Sequence, residues 1–235
     1  MRALNWVGII GALPFLACQT PAILRTARTL PKGTVDISAS VNITNLSTDE
    51  LVVDGEIVTA EYDFTYPNFV PELLLNYGVA DDFEIGGKLS LGSGLLEANA
   101  KYRFVHATDG ALHVAAAPSA AYRTLGLVSG PVFTLPLLLT YDVSEGVSLS
   151  GGPLISYAAY DVPDSLETDD ADIGGNTLYA GGAVGVELRL PRGFHIMPSV
   201  ELQRSVSRSG EFDDLPGIDM LFLSVTGGFA VGGRD

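Results

Sequence analysis

The chain has 235 residues, with 28 acidic against 13 basic side chains and a formal charge of −15, yet 47% of it is hydrophobic. High acidity with high apolar content argues against disorder, and the shortage of bases argues against a nucleic-acid surface. No clean apolar run of 18 residues follows the first twenty, so membrane-spanning helices are out.

Residues 1–17 place Arg2 before an apolar run and small Ala17 just ahead of Cys18, the single cysteine. Such a segment is a targeting element, not part of a fold. One cysteine also forbids an intrachain disulfide. The stretch resembles the lipobox of a bacterial lipoprotein signal, cut before a lipidated cysteine, although Phe15 and Leu16 stand where Leu and a small residue are usual. The alternative is an ordinary signal peptide with an incidental cysteine. Residues 18–33 are read as a lipid-anchored or periplasmic leader that ends in the Pro31-Lys32-Gly33 turn signal. Residues 34–235 form the β domain.

From there the chain alternates. A first strand over Thr34–Ile43 sets Val35, Ile37, Ala39, Val41 and Ile43 against Asp36, Ser38, Ser40 and Asn42. Residues 44–69 carry six acids and are read as a long surface loop. A hairpin about Asp54-Gly55, if continued into the wall, would raise the strand count from ten to twelve. Further strands are expected near 70–79, 83–91, 95–105, 111–123, 131–142, 147–160, 177–190, 194–205 and 218–231. Pro118 and Pro136 fall inside two of them and imply bulges or local unpairing.

Each hairpin thus has a nearly unbroken apolar face and a charged face, with no helix to cover the apolar one. An antiparallel transmembrane β-barrel of about ten strands, lipid outside and polar side chains within, explains that pattern best. The junctions at 80–82, 106–110, 144–146 and 191–193 are tight, whereas most on the other side are longer. That segregation matches periplasmic turns and outer loops. Tyr77, Tyr102, Phe104, Phe83, Tyr141 and Phe194 gather at the tight-turn ends, with Tyr122 and Tyr157 opposite, as two interfacial girdles would require.

The run TARTLPKG and the segment ELLLNYGVADDFEIGGKL, residues 72–89, resemble a group of small bacterial outer-membrane β-barrel proteins. In these, units of the form Tyr-Gly-Val/Leu-x-Asp-x-Phe-Glu-Leu/Ile-Gly recur. The resemblance implies an outer-membrane location with periplasmic termini, contact with outer-membrane lipids and dependence on the barrel-assembly machinery. With lipidation at Cys18 it also implies the lipoprotein-sorting machinery. The chain departs from the pattern at its end, Phe229-Ala-Val-Gly-Gly-Arg-Asp235, where a terminal aromatic is usual.

The inward charges are Glu72, Glu84, Lys88, Glu97, Lys101, Arg103, Arg123, Glu187, Arg189 and Glu201. In a narrow lumen they must pair with one another, so a structural charge network is expected, with a narrow conduit or a buried site as rivals. His106, His113 and His195 all fall near the tight-turn side, which leaves no rim histidine for hydrolysis, and no catalytic role or cofactor is expected. Asp164, Glu167, Asp169, Asp170 and Asp172 are weak metal candidates, because their spacing lacks the order of a calcium loop. The role expected is structural, adhesive or narrow-pore. The rival is a lipocalin-like barrel that binds an apolar ligand, which needs the opposite assignment of faces.

Overall fold

The computed structural model describes residues 25–53, 56–106, 111–124, 129–161, 174–210 and 219–232. Eleven strands form one antiparallel sheet: β1 (Val35–Val53), β2 (Glu56–Ala80), β3 (Phe83–Ser90), β4 (Leu95–His106), β5 (Leu112–Ala116), β6 (Ser119–Arg123), β7 (Gly130–Ser144), β8 (Val147–Asp161), β9 (Gly174–Arg189), β10 (Phe194–Gly210) and β11 (Asp219–Val231). β5 and β6 are two halves of one stave, since both lie between β4 and β7. The sheet closes on itself through β3–β4 and through β1–β11, which runs from Val35↔Val231 to Ser47↔Asp219. The result is a ten-stave barrel with every sheet edge paired through its body, the arrangement that satisfies backbone groups in lipid.

The break between β5 and β6 falls at Ala117-Pro118, and the neighbouring β7–β8 ladder skips between Pro136↔Leu154 and Leu139↔Gly151. Proline has no N–H to give to a ladder, and here two adjacent staves share the defect. Carbonyls take up part of the loss: Ala100 N–H donates to Pro118 O at 3.1 Å and Ala117 N–H to Pro136 O at 3.2 Å.

Residues 44–69 correct the sequence reading. Residues 44–53 and 56–69 are strand, not loop. β1 and β2 continue as a paired ribbon from Asn45↔Thr65 to Val53↔Glu56, so the connection after the first strand is short and the count does not rise. Register shifts between Ser40 and Asn42 and between Thr48 and Glu50 disturb the alternation, which is why the strand is hard to see in sequence.

The faces follow the alternation. Outward Ile37, Leu75, Leu96, Leu135, Ile155, Val184, Leu202 and Val225 are all exposed, while Asp36, Glu72, Glu84, Lys88, Lys101, Thr140 and Glu201 are buried. Exposed Tyr77, Tyr102, Phe104, Tyr141 and Phe194 ring the tight-turn end, and Tyr122, Phe133 and Tyr157 the other. On the outer wall an apolar hollow of about 1020 Å³ is bordered by Val41, Ile43, Leu139, Tyr141, Val184 and Leu223. The inward residues Asn42, Thr140, Ser150, Gly185, Ser199 and Ser224 lie behind it.

The closing seam has one position with no room for a side chain. A Cβ on Gly228 of β11 would stand 2.7 Å from the carbonyl oxygen of Ile37 and closer still to the Ser38 hydroxyl on β1. Gly228→Ala is therefore expected to cost about 1–3 kcal/mol through forced displacement. The measurement is the temperature at which the folded band is lost in heat-modifiable gel mobility. An unchanged temperature would show that the seam yields freely.

Candidate functional site: the lumen and the segment inside it

The lumen at the tight-turn end is occupied by the chain's own leader, residues 25–33. Gly33 N–H donates to Gly78 O at 2.8 Å and Thr34 N–H to Pro31 O at 3.0 Å, which turns the chain from β1 back into the barrel. Gly78 is required by this path, because a Cβ there would lie 2.7 Å from the Leu30 carbonyl oxygen and closer still to that of Pro31. Ala27 is completely buried against Ala115, Ala117, Leu138, Ala183 and Met197, and its N–H donates to Thr140 Oγ1 at 2.7 Å.

Two charge clusters hold this segment. In the first, Glu84 accepts Lys101 Nζ at 2.9 Å, lies 3.7 Å from the Arg25 guanidinium and accepts the Leu30 N–H at 2.9 Å. Lys101 also donates to the carbonyls of Thr26 at 3.1 Å and Arg28 at 2.6 Å, and Arg25 donates to Asn99 Oδ1 at 2.8 Å. In the second, the Arg28 guanidinium forks onto Asp142, at 2.5 Å, and Glu187, and it donates to Ser148 Oγ at 3.0 Å. Arg189 at 3.3 Å and His113 at 3.2 Å complete the shell of Asp142. Burial, with repulsion from Arg189, lowers the Arg28 guanidinium to about 10, so it remains charged at neutral pH.

The structure divides the inward charges by level. Glu84, Lys101 and Glu187 meet the leader, and Arg189 stands beside them against Asp142 and Glu187. Lys88 and Glu97 pair at 3.1 Å higher in the lumen. Buried at the far end are Glu72, the cross-strand partner of Ser90, together with Arg123 and Glu201, whose carboxylate accepts from Gln203. Arg103 lies apart, at the tight-turn rim, paired with Asp82 at 2.7 Å. Fully buried Phe222 and Met220 and nearly buried Leu95 fill the rest. What space remains near Arg25, Lys88, Glu97 and Asn99 is a cavity of about 30 Å³, room for roughly one water.

Arg25 and Arg28 are the functional residues that sequence reasoning missed. One signal was available: inward acids outnumber inward bases along the strands, and the short leader brings two arginines to the first of them.

Gly228 also lets His195 reach across β11 to β1. Its Nε2 lies 3.4 Å from Ser38 Oγ and its Nδ1 3.6 Å from Asp36 Oδ2. The Ser38 hydroxyl, however, donates to Asp36 Oδ1 at 2.5 Å rather than to the imidazole. A serine is activated by giving its proton to a base such as histidine, and this contact does not provide that. Among the described residues no group of three or more His, Cys, Asp or Glu side chains could hold a metal ion. Asp164, Glu167, Asp169, Asp170, Asp172 and Cys18 lie outside the described residues.

A closed ten-stave antiparallel barrel with an apolar outer wall, two aromatic rings and a charged interior is the fold of the bacterial outer-membrane β-barrels. Among solved structures, the COG4313 outer membrane channel from Pseudomonas putida F1 is similar with a TM-score of 0.52 and 14% identity, covering 90% of this chain and 100% of that one. The outer membrane protease OmpT from Escherichia coli gives 0.42 and 13%, over 87% and 99% of the two chains. Neisserial surface protein A gives 0.42 and 10%, over 84% and 99%. At these identities the likeness is one of fold alone. No protein-family model and no curated protein matches the sequence.

Proposed function

We propose that the chain is an outer-membrane β-barrel with periplasmic termini and a closed, non-catalytic lumen, serving as a structural and adhesive element through the parts that rise outside. The carrying observation is that, among the described residues, Glu72, Phe222 and Met220 are completely buried in the interior, and the cavity of about 30 Å³ beside Lys88 and Glu97 is far too small for an ion with its hydration shell. The same interior disfavours a lipocalin-like role, which needs an apolar chamber of several hundred Å³ or more. Barrel-assembly machinery and outer-membrane lipids are the partners this reading requires. Acylation at Cys18 belongs to it as a separate element, decided by metabolic lipid labelling of the wild type and Cys18→Ser.

Single-channel recording in planar bilayers tests the closed state. Silence at all voltages and salts is expected, and discrete conductance steps from the wild type would overturn it. A gated narrow pore is the second reading, favoured by the fact that the leader is held mainly by polar contacts. Deletion of residues 25–30 separates the two. Regular steps from that variant support a pore with a removable plug, whereas continued silence in a folded barrel supports the structural role.

A further inference from the structure

The ribbon formed by β1 and β2 outlasts its neighbours. Among the described residues, β11 accompanies β1 as far as Ser47↔Asp219, and β3 accompanies β2 over Glu72–Ala80. Among the described residues, β2 above Pro67 has β1 on one side and no strand on the other. Beyond Ser47 the ribbon is, among the described residues, two-stranded for roughly 20 Å at the usual rise per residue. Two strands alone in water are marginally stable, and an open edge offers a row of N–H and C=O groups to any extended chain that fits.

The charge on the ribbon restricts what fits. Asp49, Glu50, Glu56, Glu61 and Asp63 lie on it, and no Lys or Arg occurs between Lys32 and Lys88. Pairing with the same edge of a second copy would set acids against acids, which is destabilising across a strand pair. The same charges favour a strand of opposite sign, so one feature both prevents self-association and selects the partner. Pro67 and Pro71 lack donors and limit a continuous ladder to the part of the edge farther from the barrel body.

We propose that the free edge of β2 over 56–66 is a docking site for a basic, extended segment of a partner protein, added as a third strand of the ribbon. Backbone hydrogen bonds hold the segment, and its Lys or Arg side chains meet the acids of the ribbon. This rests on the placement of the ribbon outside the membrane, but not on whether the lumen conducts.

The test uses the full barrel in lipid nanodiscs and a peptide of alternating Lys and Thr as the probe. Saturable binding that weakens with added salt is expected, with slowed amide exchange confined to the ribbon. A second peptide of identical charge, N-methylated at every other residue, lacks the donors needed on one edge and should bind at least about ten-fold more weakly. A variant carrying Glu56→Lys, Glu61→Lys and Asp63→Lys should lose binding while keeping its heat-modifiable mobility. Equal binding of the N-methylated peptide, absence of amide protection, or no binding at all overturns the proposal. A conductance result leaves it untouched, so the two readings fail independently.

Discussion

Lys101→Met should be among the most destabilising single changes in this barrel, costing about 3–5 kcal/mol. Lys101 is 4% exposed and Glu84 2%, so each charge has been taken almost wholly out of water. Removing the ammonium leaves Glu84 with the Leu30 N–H at 2.9 Å and, as counter-charge, the Arg25 guanidinium at 3.7 Å, and it strips the carbonyls of Thr26 and Arg28 of a shared donor. Most of the loss is the penalty for an uncompensated buried carboxylate, which leads to a second expectation. Adding Glu84→Gln to Lys101→Met should recover about 2 kcal/mol, because the pair is then neutral. The measurement is the midpoint of thermal unfolding in detergent for the wild type, both single variants and the double variant. Additive losses would show that the two groups do not act together.

Arg28→Ala is expected to free the leader and lower stability by about 3 kcal/mol, toward the lower end of the cost of breaking a buried pair. Arg28 keeps 17% of its side chain exposed, and Arg189 remains near both Asp142 and Glu187 to soften the loss. Arg28→Lys should cost less, about 1 kcal/mol, since one ammonium supplies charge but lacks the fork that spans two carboxylates. The specific readout is limited proteolysis from the tight-turn side. Cleavage within residues 25–33 should become rapid in Arg28→Ala while the barrel band persists on gels. Unaltered protection of the leader would mean that Lys101 and the buried Ala27 hold it without Arg28.

Much of the wall was legible because alternation is local. A strand points successive side chains to opposite faces, and Leu73, Leu75 and Tyr77 declare an outer face without reference to any other strand. Pro118 also speaks locally, since a missing N–H interrupts a ladder in any surroundings, and the wall breaks between β5 and β6 at that point. Of the ribbon at 44–69 only the hairpin about Asp54-Gly55 was legible, and the length of its two strands was not. Two register shifts move the pattern from face to face, and acidic residues in a run look like solvent-exposed loop when the pairing partner is unknown.

The sequence by itself determined a closed antiparallel barrel, the two faces of the wall outside residues 44–69, and the need for buried charges to be compensated. Only the tertiary structure decided which groups compensate which. The contacts Ala27–Thr140 and Arg28–Glu187 join residues 113 and 159 positions apart, and no local period encodes such a separation. Across the lumen the partner of a charge depends on strand register and on what else fills the space. The inward carboxylates Asp36, Glu72, Glu84, Glu97, Asp142, Glu187 and Glu201 outnumber the inward bases Lys88, Lys101, Arg123 and Arg189, and a leader carrying Arg25 and Arg28 supplies cations the strands lack. Once the barrel closes, desolvation makes that shortage costly and folds the leader into the interior.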